Sequence, residues 1–294
     1  MVSGQFGSVV VGFDGTSGSR RAVTWACREA ELRGRRVQLV RAFSAPLEEL
    51  TRIHLPAESV DLGPLRASAE RESDDVVQEC VRERPELEIT TDVRLGHPAT
   101  VLHDAAERGE MLVLGSSEHG RLHQVLLGST ANELMRKSPV PPVVVVRGEG
   151  DGPRGKVVVG VDGSRASAGA VGFAFDHAAR HGADVVAVLA WDELPRDAIP
   201  PAGDWKLDWT DITRSCERVM SESLAGWRER YPDVDVHPEV TTTELPTEIL
   251  LRHAVGADLV VVGRHGRSLV RATVLGSTSH AIAHYAPCPV AVVH

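Results

Sequence analysis

The sequence predicts an α/β protein of two tandem domains, each built on a doubly wound, parallel, five-stranded sheet. Three observations predict this class. The chain has 294 residues, about twice the length of an ordinary domain. The segment Val-Val-Val-Gly-Phe-Asp-Gly-Thr at 9–16 returns as Val-Val-Val-Gly-Val-Asp-Gly-Ser at 157–164. In each half, short β-branched runs alternate with helical patterns, which is typical of parallel strands covered on both faces.

The internal repeat extends along both halves at a nearly constant offset. Asp14 and Asp162 are separated by 148 residues, and so are two Gly-Ser-Thr motifs, at 128–130 and 276–278. Several such matches in the same order indicate a duplication. A Gly-rich polar stretch between the copies suits a flexible linker. We therefore predict domains at residues 1–148 and 155–294, joined by a linker at residues 149–154.

The first half begins with an apolar run at about 8–13, which predicts a buried strand. A helix is expected over about 18–33, because Ala22, Ala26 and Ala30 fall on one face at i, i+4 spacing. The β-branched run Val37–Ala42 predicts the second strand.

The same alternation continues to the end of the half. A helix over about 66–84 leads to a strand at Ile89–Arg94. Pro98 opens the next helix, since its missing N–H would be unpaired in a first turn anyway. A strand at Met111–Gly115, a helix from about Ser129 and a strand at Val143–Val146 complete the half, and the second half repeats this order. The handedness of strand-helix-strand crossovers favours a doubly wound, Rossmann-like domain. For such a domain we expect the strand order 3-2-1-4-5.

Charge and composition exclude several classes of partner. The net charge of −9 and the isoelectric point near 5.8 argue against nucleic acid and against an anionic membrane surface. No apolar run has the length of a membrane span, and the first residues do not resemble a signal peptide. The cysteines lie far apart and without metal-ligand spacing, so we expect buried thiols in the cytoplasm; they are Cys27, Cys80, Cys216 and Cys288.

In an open parallel sheet, ligands bind beyond the carboxyl ends of the strands, where the direction of winding reverses. With the expected strand order, this point lies between the first and fourth strands of each half. Glycines there let backbone N–H groups approach a phosphate, because glycine has no Cβ. In the first half the residues that leave these strands are Gly12, Asp14, Gly115, Ser116 and Gly120; in the second they are Gly160, Asp162, Gly263, His265 and Gly266.

Each Gly-Ser-Thr motif lies at the expected start of a helix, which is a second anion site through free N–H groups and the helix dipole. The motifs are Gly128-Ser129-Thr130 and Gly276-Ser277-Thr278. Alternatives exist: Thr130 and Glu133 fit a capping box, and each aspartate would serve as a turn cap. Arginines in the same loops would offset phosphate charge, although surface arginine is the commoner explanation; they are Arg121, Arg264 and Arg267.

One pattern is more specific than these. Gly263-x2-Gly266-x9-Gly276-Ser277 resembles the Gly-x2-Gly-x9-Gly-(Ser/Thr) ATP-binding signature of the universal stress protein family. The ending Ala-Pro-Cys-Pro-Val-Ala-Val-Val at 286–293 is similar to that family too. The resemblance covers both halves, so the chain resembles a tandem two-domain universal stress protein.

The resemblance implies five-stranded domains that bind ATP, with Mg²⁺ held only through the ATP phosphates. It implies that the first-strand aspartate and the residues ending the second strand surround adenine: Asp14 with Ala42 and Phe43, and Asp162 with Ala190 and Trp191. It also implies that ribose and phosphates are held by Gly115, Gly128 and Ser129 in one half and by Gly263, Gly266, Gly276 and Ser277 in the other.

The first half departs from the signature at one position. Counting from Gly115 reaches Glu118, where the signature has glycine. A carboxylate there would repel a triphosphate, and its Cβ would restrict a backbone angle that glycine can adopt. We therefore expect two sites of unequal strength, the second tighter than the first.

The function expected from these patterns is that of a cytoplasmic, ATP-binding, stress-response regulatory protein without catalytic residues. Bound nucleotide would stabilise one conformation or one partner surface. Three alternatives stay open: a slow ATPase or phosphotransferase that uses the aspartates and His265; a nucleotide-free interaction module; and AMP or cyclic AMP as the nucleotide. HExxH and GxSxG motifs are absent, so we expect neither a metal centre nor covalent catalysis.

The last strand of each half would form an apolar sheet edge. These strands are Pro142–Val146 and Pro289–Val293. Apolar edges favour pairing, so we expect the two halves to join across them by pseudo-two-fold symmetry. The family is similar in associating there, and a homodimer of whole chains is a further possibility.

Overall fold

The computed structural model describes residues 7–44, 61–118, 125–136, 141–148, 154–191, 209–266 and 275–294. The chain divides into two compact units, Met1–Val146 and Arg147–His294. Residues 149–153 of the predicted linker lie outside the described residues, so the linker stays a prediction, as does pairing of the two halves.

Five strands of the first unit form the predicted parallel sheet. β1 pairs with β2 and β4, β2 pairs with β3, and β4 pairs with β7, all in parallel. The resulting order, β3-β2-β1-β4-β7, is the 3-2-1-4-5 order expected from the sequence. A two-residue antiparallel pair, β5 and β6, was not predicted. The strands are β1 (Ser8–Gly12), β2 (Val37–Phe43), β3 (Ile89–Leu95), β4 (Gly109–Gly115), β5 (Ser117–Glu118), β6 (Val125–Leu126) and β7 (Val143–Val146).

Four described helices cover the first sheet: α1 (Ser17–Arg33), α2 (Gly63–Glu83), α3 (Pro98–Ala106) and α4 (Ser129–Arg136). α1 and α2 contact each other on one face, and α3 and α4 contact each other on the other. Because helices cover both faces, the central strands are buried throughout, and Val9, Val10 and Val11 are 0% exposed. The predicted doubly wound α/β architecture is confirmed.

The second unit repeats this architecture. Its strands are β8 (Lys156–Gly160), β9 (Asp184–Ala190), β10 (Val236–Thr241), β11 (Leu259–Gly263) and β12 (Val290–Val293). They are parallel in the order β10-β9-β8-β11-β12. Its helices are α5 (Arg165–His181), α6 (Trp209–Arg230), α7 (Pro246–Ala254) and α8 (Ser277–Tyr285).

Local sequence sets the helix ends. Thr16 caps α1, its hydroxyl accepting a bond from the Ser19 N–H at 3.2 Å, and Ser164 caps α5 in the same way. Gly34 and Gly182 end these helices in the left-handed conformation, at φ of 60° and 61°. Because each of these helices follows the first strand of its unit, its N-terminus lies at the carboxyl edge of the sheet. Among the described helices, none is long and apolar enough to cross a membrane.

Candidate functional site

A cavity of about 280 Å³ lies at the carboxyl edge of the second sheet, where β8 and β11 end. It is lined by the ends of both strands and by the start of α8. Nine of the residues predicted for this site lie around it: Gly160, Asp162, Ala190, Gly263, His265, Gly266, Gly276, Ser277 and Thr278. The position is the one that the reversal of winding predicts.

The first unit has a cavity of about 560 Å³ at the corresponding place, beyond the ends of β1 and β4. Eight predicted site residues line it: Gly12, Asp14, Ala42, Gly115, Ser116, Gly128, Ser129 and Thr130. Two residues of this prediction, Gly120 and Arg121, lie outside the described residues, as does the side chain of Glu118.

Each first-strand aspartate organises the turn that leads into the following helix. Asp14 Oδ1 accepts hydrogen bonds from the N–H and the hydroxyl of Thr16, at 3.0 and 2.6 Å. Asp162 Oδ1 accepts from the N–H of Ser164 at 2.8 Å. The helix caps themselves are Thr16 and Ser164, so the aspartates hold the cap residues rather than cap the helices. This geometry leaves both carboxylates on the cavity walls.

The surroundings of Asp14 favour its charged form. Burial by itself would raise its pKa, but hydrogen bonds from Thr16 and Ser19 and the charge of Arg41 outweigh burial, so the pKa is lowered. The guanidinium of Arg41 also lies over the Phe13 ring, 5.4 Å from its centroid, and Arg41 Nη1 pairs with a Glu72 carboxylate oxygen at 2.9 Å. In the second unit, Val161 and Leu189 stand where Phe13 and Arg41 stand in the first.

The start of α8 is suited to an anion. Gly276 is its N-cap, with no side-chain hydrogen bond to the helix, and its own N–H bonds to the Arg264 carbonyl at 2.9 Å. The first-turn N–H groups therefore point toward the cavity without a capping side chain. In the first unit α4 begins at Ser129, so Thr130 lies within the first turn and not at the N-cap that the capping-box alternative needs.

Glycine at the end of the fourth strand permits a close approach of backbones. A Cβ on Gly115 would overlap the backbone of Gly18, at the start of α1. In the second unit the approach is slightly looser, since a Cβ on Gly263 would lie 2.9 Å from the Ala166 carbonyl carbon. Gly115 and Gly18 both line the first cavity, and Gly263 lines the second.

Both cavities have an apolar wall that sequence reasoning missed. In the second unit Val188, Pro246 and Leu250 form it, and in the first unit their counterparts are Val40, Pro98 and Leu102. The proline that opens each helix was recognised as a helix signal only. Its position within a few residues of the end of the third strand, repeated in both halves, was the available clue that this helix begins beside the site.

Three predicted residues are not brought into a cavity. Arg264 does not line the second cavity: its side chain is buried, 3% exposed, and burial lowers its pKa. Its N–H bonds to the Val293 carbonyl, which continues the strand pairing of β11 with β12. A role of Arg264 toward a phosphate stays a prediction, and its burial does not fit the alternative of a surface arginine. Phe43 and Trp191 do not line the cavities either. Arg267 lies outside the described residues.

Comparisons with known proteins agree with this architecture. The model of the "Universal stress protein family" matches residues 5–147 and 153–294. The chain is 37% identical over 299 residues to a universal stress protein of Mycolicibacterium smegmatis, covering 97% of this chain and 96% of that one. It is 33% identical over 292 residues to one from Mycobacterium tuberculosis strain H37Rv, with 97% and 96% covered.

A solved structure shares the fold. The crystal structure of a universal stress protein from Archaeoglobus fulgidus is similar over 97% of each chain, with a TM-score of 0.70 and 17% sequence identity. The family model covers both halves, and the curated relatives are similar over nearly the full length. The chain therefore belongs to the universal stress protein family, as a member with two tandem domains.

Proposed function

We propose that this protein is a regulatory nucleotide-binding protein that holds ATP, with Mg²⁺ on the phosphates, in one cavity of each unit. One observation carries the proposal: the same set of groups converges at both cavities. Each has an aspartate that follows the first strand, an apolar wall, glycines at its edge and the N-terminus of a helix. An apolar surface beside an anion site is what a base joined to phosphates requires.

In this proposal the base and the phosphates bind at opposite ends of each cavity. Val188 and Leu250 offer an apolar surface for the base, with Asp162 at its edge as a hydrogen-bond acceptor. The phosphates would lie over Gly276 and Ser277, where backbone N–H groups and the helix dipole favour negative charge. Gly266 and Gly276 leave room for the phosphates to approach the backbone, because a Cβ atom at either position would occupy that space.

The polar side chains that line the cavities fit nucleotide binding better than nucleotide hydrolysis. Among the described residues that line the cavities, the acidic side chains are Asp14 and Asp162. One oxygen of each is used to hold a turn. Nucleotide would act by stabilising the conformation that it binds best, which a regulatory partner then recognises.

Native mass spectrometry of the purified full chain, followed by calorimetric titration with Mg·ATP, tests the proposal. We expect co-purified adenine nucleotide and two unequal binding events per chain. ADP, AMP and cyclic AMP titrated in parallel identify the nucleotide that binds best. A protein that carries no nucleotide, and whose melting temperature none of the four ligands changes, would be an interaction module instead.

A substitution at the helix N-terminus separates phosphate binding from stability. Ser277→Asp puts a negative charge where the phosphates would lie, yet the same charge favours the helix dipole. We expect weaker ATP binding in the second unit with an unchanged or higher melting temperature. Ser215→Asp, on the exposed surface of α6, is the matched control and should leave binding unchanged.

Product analysis distinguishes binding from slow hydrolysis. Purified protein is incubated with labelled Mg·ATP and the release of ADP is followed. His265 and Asp162 both line the second cavity, so His265→Ala and Asp162→Asn are the informative variants. ADP release that exceeds that of both variants would replace the regulatory function with a slow ATPase.

A further inference from the structure

Two cysteines of the first unit face each other between helices. Cys27 lies on α1 and Cys80 on α2, and they are 0% and 6% exposed. The two helices contact each other, and each thiol is the largest influence on the pKa of the other. Cys80 continues the buried stripe Ala69, Ser73 and Val76 of α2, which places its side chain in the interior of the unit.

In the second unit, aromatic side chains occupy the positions that correspond to the two cysteines. Positions 27 and 80 correspond to Phe175 and Trp227 in the second unit, by offsets of 148 and 147 residues. Those rings stack, with centroids 6.3 Å apart. An apolar contact is therefore sufficient to join these helices, and a matched pair of thiols in the first unit is not required for packing.

A cation lies beside the thiol pair. Arg84 pairs with Glu83 at 2.8 Å and with Glu31 at 3.4 Å, and its charge acts on both thiols. The interaction between the thiols lowers the pKa of Cys80 and raises that of Cys27, while burial acts to raise both, Arg84 favours ionisation of both and Glu83 opposes it. The lowered pKa favours Cys80 as the thiol that reacts first, with the charge of Arg84 beside it.

We propose that Cys27 and Cys80 form a redox-active pair, which a hydroperoxide converts to an intramolecular disulfide between α1 and α2. The site is independent of the nucleotide cavities, and it extends the expectation that these cysteines only fill the core. In a reducing compartment such a bond is transient, as is usual for redox-sensing disulfides.

The chemistry balances with hydrogen peroxide as the oxidant. The Cys80 thiolate attacks one peroxide oxygen, the O–O bond breaks and hydroxide leaves, which gives a sulfenic acid on Cys80. The sulfur of Cys27 then attacks Sγ of Cys80, the S–S bond forms and the S–O bond breaks, releasing water. In total, two thiols and one H₂O₂ give one disulfide and two water molecules.

Peptide mapping of the full chain tests this site directly. Native protein is treated with H₂O₂, its remaining thiols are blocked, and it is digested with trypsin without reduction. The expected product links peptide 22–28 to peptide 72–82, and the intact protein loses two hydrogen atoms. Cys216 and Cys288 are internal controls, since both are buried and burial raises the pKa of Cys288 to about 12.

The same sample reports on stability. The disulfide closes the chain from residue 27 to residue 80, so oxidised protein should melt about 5 °C or more above reduced protein. The proposal is wrong if the linked peptides do not form, form only in urea, or form no faster than Cys216 and Cys288 are oxidised.

Single variants separate the roles of the two thiols. With Cys27→Ala, dimedone should trap a sulfenic acid on Cys80, because no second thiol resolves it. With Cys80→Ala, Cys27 should stay unlabelled. Cys216→Ala is the matched control and should form the disulfide at the wild-type rate. Circular dichroism checks the fold of each variant, and equal labelling of Cys27 and Cys80 would contradict the assigned roles.

Discussion

Gly266 lies against the carboxylate of Asp162: a Cβ atom at position 266 would be 3.1 Å from Asp162 Oδ2. This distance is tighter than ordinary van der Waals contact, so a side chain there would displace the carboxylate or be displaced by it. The glycine therefore keeps the edge of the second cavity open. In the first unit, the corresponding position carries Glu118.

Gly266→Glu is expected to make the second site bind ATP as weakly as the first. The new Cβ crowds Asp162, and the added carboxylate repels phosphate. We expect Mg·ATP to bind the second site about tenfold more weakly, about 1.4 kcal/mol. Calorimetric titration of the full chain measures this as a loss of the tighter binding event.

Two further variants control this experiment. Gly226→Glu adds the same group on α6, where a Cβ meets no atom within 4 Å, and should leave binding unchanged. The reverse change, Glu118→Gly, should tighten the weaker site. Equal affinities of the two sites in the wild-type chain would contradict the expected inequality.

Lowering the pH should reduce the stability of the first unit, because Asp14 becomes protonated. Its pKa is lower in the fold than in the unfolded chain, so its ionised form contributes stability above the unfolded pKa, about 4. That contribution is lost as pH falls through the folded value. Urea unfolding between pH 6 and pH 3 should show a steeper loss for wild type than for Asp14→Asn. Parallel pH profiles of the two proteins would show that Asp14 does not contribute.

Gly115→Ala should strongly destabilise the first unit. The added methyl group would overlap the backbone of Gly18, and neither backbone can yield without moving α1 from the sheet. We expect a loss of about 3 kcal/mol or more in the free energy of unfolding, measured in urea. Gly226→Ala is the control, because the methyl group enters open space within a helix and should be neutral or stabilising.

Arg147 should stabilise the second unit by closing the end of α8. Its buried guanidinium donates to the carbonyls of Ala283, His284 and Ala286, the first of these contacts being very short. Arg147→Met leaves these carbonyls without their donor, so we expect a loss of about 3 kcal/mol. Urea unfolding measures it, and a value near zero would show that the donor is dispensable.

Proton titration gives a second measurement on the same variant. Burial, His280 and the charge of Arg147 together lower the pKa of His284. Removing the arginine should raise that pKa, which NMR can follow on the His284 ring. Arg214→Ala, at an exposed position of α6, controls for the loss of an arginine and should change neither quantity.

The sequence predicted the elements closely, because their causes are local. Each of these signals determines the conformation of only a few neighbouring residues. They are the apolar β-branched runs, the proline at position 98 and the polar residues before α1. Strand bounds such as Val143–Val146 are those expected. The antiparallel pair β5 and β6 escaped prediction, since two residues on each side carry no detectable periodicity.

The candidate site was predictable in part. The repeat marks the glycines and aspartates twice, and the topology of a parallel sheet brings strand ends together at one edge. The apolar wall and the direction of Arg264 were not predictable, because they depend on how a helix and a strand pair lie against the sheet. The sequence around an arginine in a signature loop does not reveal whether its side chain faces a phosphate or the core.

The sequence by itself determined that this protein is a duplicated, doubly wound α/β chain, because duplication and periodicity are properties of linear order. Only the tertiary structure decided which distant residues meet. Gly266 meets Asp162, Gly115 meets Gly18, and Cys27 meets Cys80 across two helices. Each contact joins residues far apart in the chain, and side-chain volume and helix placement, not local propensity, bring them together.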